Sequence, residues 1–300
     1  LPAHTLHRVQ PMTSSLLPRR STAAHLAGAL LAITSSAVAA AAANAASPPN
    51  CSYSSGSHKA ALVELYTSEG CSSCPSADKQ LSRLQAVVDA DARVVPLALH
   101  VPYWDDIGWK DPYGQPTFEK RQRGLVSASG RRTVYTPQFF VSSNETRDWP
   151  GGLREKVRRI NAQPAPLTID IHAGASTSKT VGATAAVTLQ STVTARQGGS
   201  EAGAELYLAL TESGLVSQVQ RGENSGVTLH HDHVVRAWLG PYKLPALAAG
   251  ASFKLDQSVA LPTTWQRDKL TVVAFVQAPR LGPVVQAVQA PLASACLAAT

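Results

Sequence analysis

Two cysteines three positions apart, Cys71 and Cys74, are the residues of this chain whose type and spacing most directly allow chemistry. Two thiols at this spacing can close a disulfide within one helical turn, or they can share one metal ion. They lie at the start of a predicted helix, where the helix dipole favours a thiolate. The function of the chain therefore depends on what surrounds this pair.

The segments on either side of the cysteines predict a strand, a helix and a second strand. The apolar run over residues 60–66 predicts a buried strand, and the helix begins near Pro75, since proline suits a first helical turn. A second apolar run covers residues 93–101. A strand, helix and strand in this order imply a parallel pair whose carboxyl ends share one edge. We therefore expect residues 100–113, rich in aromatic and acidic side chains, to lie beside Cys71.

The character of the chain changes near its middle. Residues 115–129 predict a helix, and the Thr136-Pro137 dipeptide precedes an apolar run that predicts a strand. A Gln-Pro-Ala-Pro segment at residues 163–166 predicts a linker. From Leu167 onward, short runs alternate apolar and polar residues between turns, which is typical of an antiparallel β-sandwich. The predicted fold is α/β in its first half and β-rich in its second.

Residues 1–45 predict a leader that is not part of the fold. Met12 is the only methionine, so we expect translation to start there. Arg19 and Arg20 precede an Ala- and Leu-rich run over residues 23–43, the layout of a secretory signal peptide. A membrane anchor is the alternative, but an Ala-rich run with Thr and Ser is weak for a spanning helix. We expect a secreted or periplasmic protein with no membrane attachment after cleavage.

The net charge of the chain is mild once the leader is set aside. The formal charge is +7, from 27 Lys and Arg against 20 Asp and Glu. The leader holds three arginines and no acid, which leaves 24 basic against 20 acidic residues, or +4. This excess does not favour a nucleic-acid partner.

Export affects the cysteines, because exported compartments are oxidising. Cys51 and Cys296 lie near opposite ends of the mature chain. Four cysteines allow three pairings, and the simplest joins Cys71 to Cys74 and Cys51 to Cys296. The second bridge would be structural and would close a long loop. The alternative is that Cys51 and Cys296 are free.

The order of these elements resembles the thioredoxin fold. In that family the proline peptide is cis and lies across from the cysteine pair, which implies this place for Thr136 and Pro137. The family also tends to carry a buried acid in the first strand, and Glu64 is the matching residue. The resemblance implies a thioredoxin-like domain over residues 46–163, followed by a β-rich, sandwich-like domain over residues 167–300.

A closer resemblance covers nearly the whole mature chain. It rests on four segments, which read LVELYTSEGCSSCPSAD, LALHVPYWDDIGWKDPY, VYTPQFFV and RGENSGVTLHHDHVVR. They resemble a family of exported bacterial proteins with a thioredoxin-like domain and then a β-rich one, catalogued as a domain of unknown function. The resemblance implies fold and export, and it implies no substrate.

A dithiol mechanism gives the residues near the pair their roles. Cys71, expected to be the more exposed sulfur, would be the nucleophile, and Cys74 would resolve the mixed disulfide. Pro137 would hold the facing backbone open for an extended substrate strand. Glu64, if buried, would take the proton from Cys74 through a water.

The expected partners are protein thiols or disulfides in the exported compartment, and the chemistry needs no cofactor. Thr136, with Pro137, would face this substrate. Tyr103 and Trp104 would wall a peptide groove beside Cys71, or would instead fill an interface between domains. An oxidoreductase activity is therefore one possible function.

Two other interpretations of the cysteine pair stay open. Cys71–Cys74 could be a structural disulfide in a redox-silent scaffold or binding module. Alternatively, the two thiolates and the imidazole of His100 could hold zinc or copper.

Two further groups of polar residues favour plain interpretations. His231 and His233 share one face of a predicted strand, but two ligands are too few, so a solvated strand is favoured over a metal site. A set of arginines is expected on a solvated face: Arg121, Arg123, Arg131 and Arg132.

Overall fold

A computed structural model describes residues 51–176, 185–196, 202–292 and 294–297. The predicted leader over residues 1–45 lies outside the described residues. The helices begin with proline in the first turn in three cases, where the missing N–H leaves no hydrogen bond unmade. The described α-helices are α1 (Pro75–Ser82), α2 (Leu84–Val87), α3 (Pro116–Ala128) and α4 (Trp149–Asn161). Short 3₁₀ helices span Pro102–Ile107, Arg267–Lys269 and Ser294–Leu297.

The strands occur in both halves of the chain and dominate the second half. In chain order they are β1 (Ser52–Ser54), β2 (Ala61–Thr67), β3 (Val94–His100), β4 (Gln138–Val141), β5 (Asn144–Glu145), β6 (Leu167–Ala175), β7 (Ala186–Ala195), β8 (Glu205–Glu212), β9 (Leu215–Gln218), β10 (Thr228–His231), β11 (Val234–Lys243), β12 (Ser252–Ala260), β13 (Leu270–Gln277) and β14 (Val284–Pro291). The two predicted strands around the cysteines correspond to β2 and β3.

An eight-stranded sheet has the strand order β14-β13-β8-β11-β3-β2-β4-β5. β3 is parallel to both of its neighbours, β2 and β11, and the other pairs of this sheet are antiparallel. A second, antiparallel sheet has the order β1-β6-β7-β12, and β9 and β10 form a separate hairpin. The fold is thus mixed α/β and is made mostly of antiparallel sheet.

The predicted crossover is present, because α1 and α2 connect β2 to the parallel strand β3. Thr67 and His100 are opposite each other at the carboxyl ends of the two strands. The turn after β2 and the segment after β3 therefore leave the sheet at the same edge. This edge holds the candidate site.

The β-rich half forms two layers. Alternate side chains of β6 and β7, such as Ile169 and Leu189, are buried against side chains of β8 and β13, such as Leu208 and Ala274. Burial of one face of each sheet follows from the alternation of apolar and polar residues in the sequence.

The two halves of the chain share one sheet. Val234 of β11 pairs with Ala98 of β3, and the Ala98 amide donates to the His233 carbonyl at 2.9 Å. Residues 47–300 form one compact unit. The predicted segments 46–163 and 167–300 therefore contribute strands to a common eight-stranded sheet.

Both faces of β2 are covered, because successive side chains of a strand point to opposite faces. Ala61, Val63 and Leu65 lie against α1 and α4 on one face, here called the α1 face. Leu62 and Tyr66 lie against α3 on the other face, here called the α3 face. The position of a residue along the strand thus determines which face its side chain lies on.

The predicted bridge between Cys51 and Cys296 is present, with the two Cα atoms 5.8 Å apart. It ties the start of β1 to the last described 3₁₀ helix across a sequence separation of 245 residues. A crosslink over so long a loop stabilises the fold mainly by restricting the unfolded chain. Separately, no helix of the described part is long and apolar enough to cross a membrane.

Candidate functional site

Cys71 and Cys74 form a disulfide in the turn between β2 and α1. The Cys71 amide donates to the Ser68 carbonyl at 3.2 Å, and the Cys74 amide donates to the Cys71 carbonyl at 3.1 Å. Pro75 then begins α1. The pair therefore lies at a helix N-terminus and at the carboxyl edge of the parallel strands, where the sequence places it.

The disulfide is buried. Cys71 and Cys74 are each 0% exposed, although Ser72 and Ser73 between them are exposed. The prediction that Cys71 is the more exposed sulfur is therefore corrected. A distant part of the chain is hydrogen-bonded to this turn.

That distant part is the loop of residues 219–227, which connects β9 to β10 and is here called the 219–227 loop. The Ser72 amide donates to Glu223 Oε2 at 2.9 Å. The side-chain amide of Asn224 donates to the carbonyls of Glu69 and Cys71, at 2.8 and 3.0 Å. These bonds join the cysteine turn to a loop about 150 residues later, since the separations are 151 to 155 residues.

The segment after β3 lies beside the same turn, as the parallel strand pair predicts. The Glu69 amide donates to Asp111 Oδ2 at 2.8 Å, and the Trp109 indole N–H donates to Glu69 Oε2 at 2.7 Å. Glu69 is fully buried. The turn before the cysteines is thus fixed by residues of the aromatic and acidic segment.

Trp104 connects the cysteine turn to the predicted proline loop. A Cβ atom on Gly70 would come within 2.9 Å of the Trp104 Cβ, so glycine allows this close approach. The Trp104 indole N–H donates to Thr136 Oγ1 at 2.8 Å. The Thr136–Pro137 peptide bond is cis, as the resemblance implies. The predicted substrate-facing residues Trp104, Thr136 and Pro137 are therefore brought together.

Tyr103 is placed differently from Trp104. Its hydroxyl donates to Gln122 Oε1 of α3 at 3.4 Å, and it lines a surface cavity with Arg123, Arg132 and Val134. Tyr103 and Trp104 both contact the buried residues of the α3 face. Trp104 therefore lies next to the cysteine turn, as expected for a wall of the predicted groove, whereas the contacts of Tyr103 are with α3 and the surface cavity.

Two histidine–carboxylate pairs lie behind the cysteine turn. His100 Nδ1 is 2.7 Å from Asp111 Oδ2, and His231 Nε2 is 3.1 Å from Glu69 Oε1. The two imidazole rings meet edge to face with their centroids 5.0 Å apart. The Tyr113 ring also meets both imidazoles in T-shaped contacts, with centroid distances of 5.3 Å to His100 and 5.8 Å to His231. The side chains of these pairs are buried, so each hydrogen bond is shielded from water.

Asp78 lies one helical turn after Cys74. Its amide donates to the Cys74 carbonyl at 3.0 Å, one helical turn away. Residues four apart on a helix share a face, so the carboxyl and the Cys74 sulfur lie on the same buried side of α1. The Asp78 carboxyl interacts with the Thr67 hydroxyl, whereas two buried ring nitrogens of this neighbourhood have no hydrogen-bond partner among the described residues: His100 Nε2 and His231 Nδ1.

The pKa values of this cluster are shifted by burial and by neighbouring charges. Burial raises the pKa of Asp78 above its ordinary value, although the nearby His231 and His100 rings act against this. Burial acts to lower the pKa of His100, but the surrounding carboxylates, with Asp111 first, outweigh it and raise the pKa. The pKa of Asp111 is lowered because its interactions with His100 outweigh burial. The cluster thus holds a carboxyl, Asp78, that keeps its proton to higher pH than usual.

Glu64 lies on the other side of the sheet. Its carboxylate accepts hydrogen bonds from Arg121 Nε and Nη2, at 2.6 and 3.2 Å, and from the Tyr66 hydroxyl at 3.2 Å. Arg121 belongs to α3, so Glu64 serves the α3 face while α1 and Cys74 lie on the α1 face. The predicted proton transfer from Cys74 to Glu64 is therefore not supported by this geometry. Asp78 is the buried acid on the cysteine side.

Two plain interpretations of the sequence are corrected. Arg121 is only 7% exposed, so it does not belong to the predicted solvated face. His231 is also buried and ends β10, while His230 before it is exposed. Among the described residues, no group of three or more His, Cys, Asp and Glu side chains is arranged to hold a metal ion.

Three residues around the disulfide were not predicted from the sequence, Glu69, Asp78 and Asn224, and His231 was expected on a solvated strand. A signal existed for Asp78, since its spacing of four from Cys74 places both on one helical face. For Asn224 and His231 the only signal is the RGENSGVTLHHDHVVR segment, which no local pattern connects to the cysteines.

These features define a class of protein: a mixed α/β fold whose buried CxxC disulfide lies at a parallel sheet edge, beside two histidine–carboxylate pairs and under a hairpin loop. Residues 62–277 match the family described as protein of unknown function (DUF1223), and the chain belongs to this family. The match runs from β2 to the end of β13. It contains the residues of the site, and it contains neither cysteine of the bridge between Cys51 and Cys296. No curated protein sequence matches the chain significantly.

Two solved structures have similar folds. HBP35 of Porphyromonas gingivalis is 19% identical, with a TM-score of 0.62, and the likeness covers 79% of this chain and 76% of that one. Protein AGR_C_4864 from Agrobacterium tumefaciens is 22% identical, with a TM-score of 0.53, and the likeness covers 79% of this chain and 96% of that one. At these identities the likeness shows the fold alone.

Proposed function

We propose that this protein is an exported thiol–disulfide oxidoreductase that uses the Cys71–Cys74 pair on protein partners. The observation that carries the proposal is the buried cluster beside the disulfide, in which the Asp78 carboxyl lies with two histidines that each keep one ring nitrogen without a hydrogen-bond partner among the described residues. Buried polar groups without partners are costly, so they are rare in parts of a protein that only support the fold. Clustered ionisable groups with shifted pKa values are typical of sites that transfer protons.

A thioredoxin-like arrangement of the first half is part of the proposal. Three features support it: a CxxC pair that opens α1 after a parallel strand, a cis Thr136–Pro137 bond, and the Trp104 contact that links the two. In this arrangement Pro137 would face a bound substrate strand. The shared sheet with β11 would be an addition to it.

The proposed reaction begins with a partner thiolate that attacks the sulfur of Cys71. The bond between Cys71 and Cys74 breaks, and Cys74 leaves as a thiolate that takes the proton of the Asp78 carboxyl. A second thiolate of the partner then attacks the partner's sulfur in the mixed disulfide and releases Cys71 as a thiolate. The partner dithiol is oxidised to a disulfide by two electrons, and the Cys71–Cys74 pair is reduced. The reverse sequence reduces a partner disulfide.

Export is the second part of the proposal. It is supported by the signal-peptide layout of the leader and by two disulfides, Cys51–Cys296 and Cys71–Cys74, which persist in oxidising compartments. The partners would then be protein thiols or disulfides of the same compartment.

A redox titration tests the activity. We expect the pair to equilibrate with glutathione buffers, at a potential above the value of about −300 mV below which structural bridges usually lie. A Cys74→Ser variant should trap partners as mixed disulfides through Cys71, and Cys71→Ser is the matched control that should trap none. A potential well below that limit together with an empty trap would contradict the proposal.

The second candidate function is a redox-silent scaffold with structural disulfides. The complete burial of both sulfurs favours it, because a buried disulfide resists exchange. The same titration separates the two candidates, since a structural bridge stays oxidised in every glutathione buffer.

A further inference from the structure

The burial of the disulfide comes from outside its own turn. Ser72 and Ser73 are exposed, so the turn itself reaches the surface, yet both sulfurs are covered. The 219–227 loop supplies the contacts that reach over this turn. Access to Cys71 therefore depends on where this loop lies.

The loop is held against the turn by few contacts, and they are polar. Asn224 makes two of them, to the carbonyls of Glu69 and Cys71, and Glu223 makes a third, to the Ser72 amide. Asn224 is 5% exposed, whereas most neighbouring loop residues are exposed. Val219 is buried at the base of the loop, but most of residues 220–227 are exposed, so lifting these residues would cost less than unfolding of a core element.

The loop is bonded within itself. The Gly226 amide donates to the Val219 carbonyl at 2.8 Å, and the Ser225 hydroxyl donates to the Gln220 carbonyl at 3.0 Å. Its parent hairpin, β9 and β10, is not part of either larger sheet. The loop can therefore move as one body without loss of its own hydrogen bonds.

We propose that the 219–227 loop is a displaceable cover and that Asn224 is the residue that sets which thiols reach Cys71. In the covered state a small thiol cannot attack the disulfide, and exchange waits for the loop to lift. That this serves turnover rests on the proposed oxidoreductase function, whereas the cover itself does not.

The surface around the cover favours a protein as the partner that lifts it. The large hydrophobic side chains of the described residues that are exposed are Ile107, Val216 and Val227. Val216 lies on the hairpin and Val227 ends the loop, while Ile107 approaches within 3.8 Å of a Cβ position on Gly222. A partner with an apolar segment next to its cysteine can bind these side chains, which glutathione cannot do.

The rate of disulfide reduction by dithiothreitol tests the cover in the full chain. Dithiothreitol is oxidised to its cyclic disulfide as Cys71 and Cys74 become two thiols, which a thiol reagent counts. We expect Asn224→Ala to raise this rate about tenfold or more, because two bonds of the covered state are lost. Glu223→Ala, at an exposed position, should raise it by a smaller factor.

Two controls separate the cover from general destabilisation. Gln220→Ala changes the loop but none of its bonds to the cysteine turn, so the rate should not change. Asn161→Ala removes another asparagine that donates to two backbone carbonyls, those of Lys59 and Arg93, which precede the amino ends of β2 and β3, opposite the edge that holds the site. It should not accelerate reduction either.

Equal rates for the wild type and Asn224→Ala would overturn the cover, as would equal acceleration by Asn161→Ala. If Asn224→Ala fails to fold, an unchanged rate in Glu223→Ala overturns it instead. The equilibrium potential of the pair, measured on the same samples, decides the oxidoreductase function independently. A potential typical of structural bridges with a faster rate in Asn224→Ala would leave the cover standing and remove only the activity.

Discussion

The two faces of the central sheet each bury a cluster of charged residues, and the clusters differ in how fully they are bonded. On the α3 face, Arg121 bonds both oxygens of Glu64 and also Gln277, and its guanidinium lies 5.1–5.2 Å from the centres of three aromatic rings. On the α1 face, His100 and His231 each keep a ring nitrogen without a hydrogen-bond partner among the described residues.

The difference indicates different roles. A buried ion pair with satisfied donors and aromatic neighbours fixes one arrangement of the core, since any change leaves a charge unpaired. A cluster with spare donors and acceptors can change its protonation state without breaking the fold. The comparison therefore favours a supporting role for Glu64 and Arg121, and it places the proposed chemistry at Asp78 and the histidines.

The largest predicted effect breaks the satisfied cluster. Glu64→Ala leaves Arg121 buried without its carboxylate, so we expect a loss of about 3–5 kcal/mol in the free energy of unfolding. Urea denaturation measures it. Glu119→Ala is the matched control, since its ion pair with Arg123 is exposed and should contribute less than about 1 kcal/mol.

A second variant at the same position tests the assignment of roles. Glu64→Gln keeps the shape of the side chain and should leave the pH profile of thiol–disulfide exchange unchanged. A shifted profile would show that Glu64 takes part in proton transfer at Cys74, and the two faces would then not differ in role.

The second effect concerns the unsatisfied cluster and is kinetic. Asp78→Asn removes the carboxyl that would exchange a proton with Cys74, so we expect exchange with a dithiol peptide to slow by about 100-fold. The pH profile of the stopped-flow rates, measured from about pH 4 to about pH 9 to include the carboxyl and thiol pKa values, should also lose one titration step. Asp91→Asn, at an exposed position, is the control. An unchanged rate and profile would show that Asp78 plays no part.

Sequence reasoning reached the outline of the fold because its signals are local. The strand, helix and strand around Cys71 follow from apolar runs and one helical periodicity, and the parallel pair follows from their order. It did not reach the common sheet, because the pairing of Val234 with Ala98 joins residues more than a hundred positions apart and depends on how the two halves meet.

The site was reached in part for the same reason. The cysteine pair and the cis proline are visible in short motifs, whereas Asn224 and His231 become neighbours of Cys71 only through tertiary contacts. The assignment of Glu64 failed on strand alternation: Leu65 shares the face of α1, so its neighbour Glu64 must face α3.

The third prediction compares two histidines with opposite pKa shifts. The pKa of His100 is raised, so its contribution to stability is present below its unfolded pKa of 6.5 and is lost as pH rises through the higher folded value. Burial lowers the pKa of His233 and outweighs the effect of Asp232. The contribution of His233 to stability is therefore present above its unfolded pKa of 6.5 and is lost as pH falls through the lower folded value.

Urea denaturation over a pH series measures both contributions. Relative to the wild type, His100→Gln should lose more stability at low pH than at high pH, by about 1.5 kcal/mol, the size of a hydrogen bond to a charged group. His233→Gln should show the opposite slope. Parallel slopes for the two variants would contradict the interpretation that the carboxylates control His100.

The smallest effect calibrates a neutral bond at the edge between the two faces. Trp104→Phe and Thr136→Val each remove one partner of the indole–hydroxyl bond of 2.8 Å, and neither introduces a charge. A double-mutant cycle in urea should give a coupling of about 0.5–1.5 kcal/mol, the usual net value for such a bond. If the coupling is absent, the bond does not hold the Pro137 loop beside the cysteine turn. The placement of Pro137 would then depend on the backbone of β4 alone, and the substrate-facing role of Trp104 would lose its support.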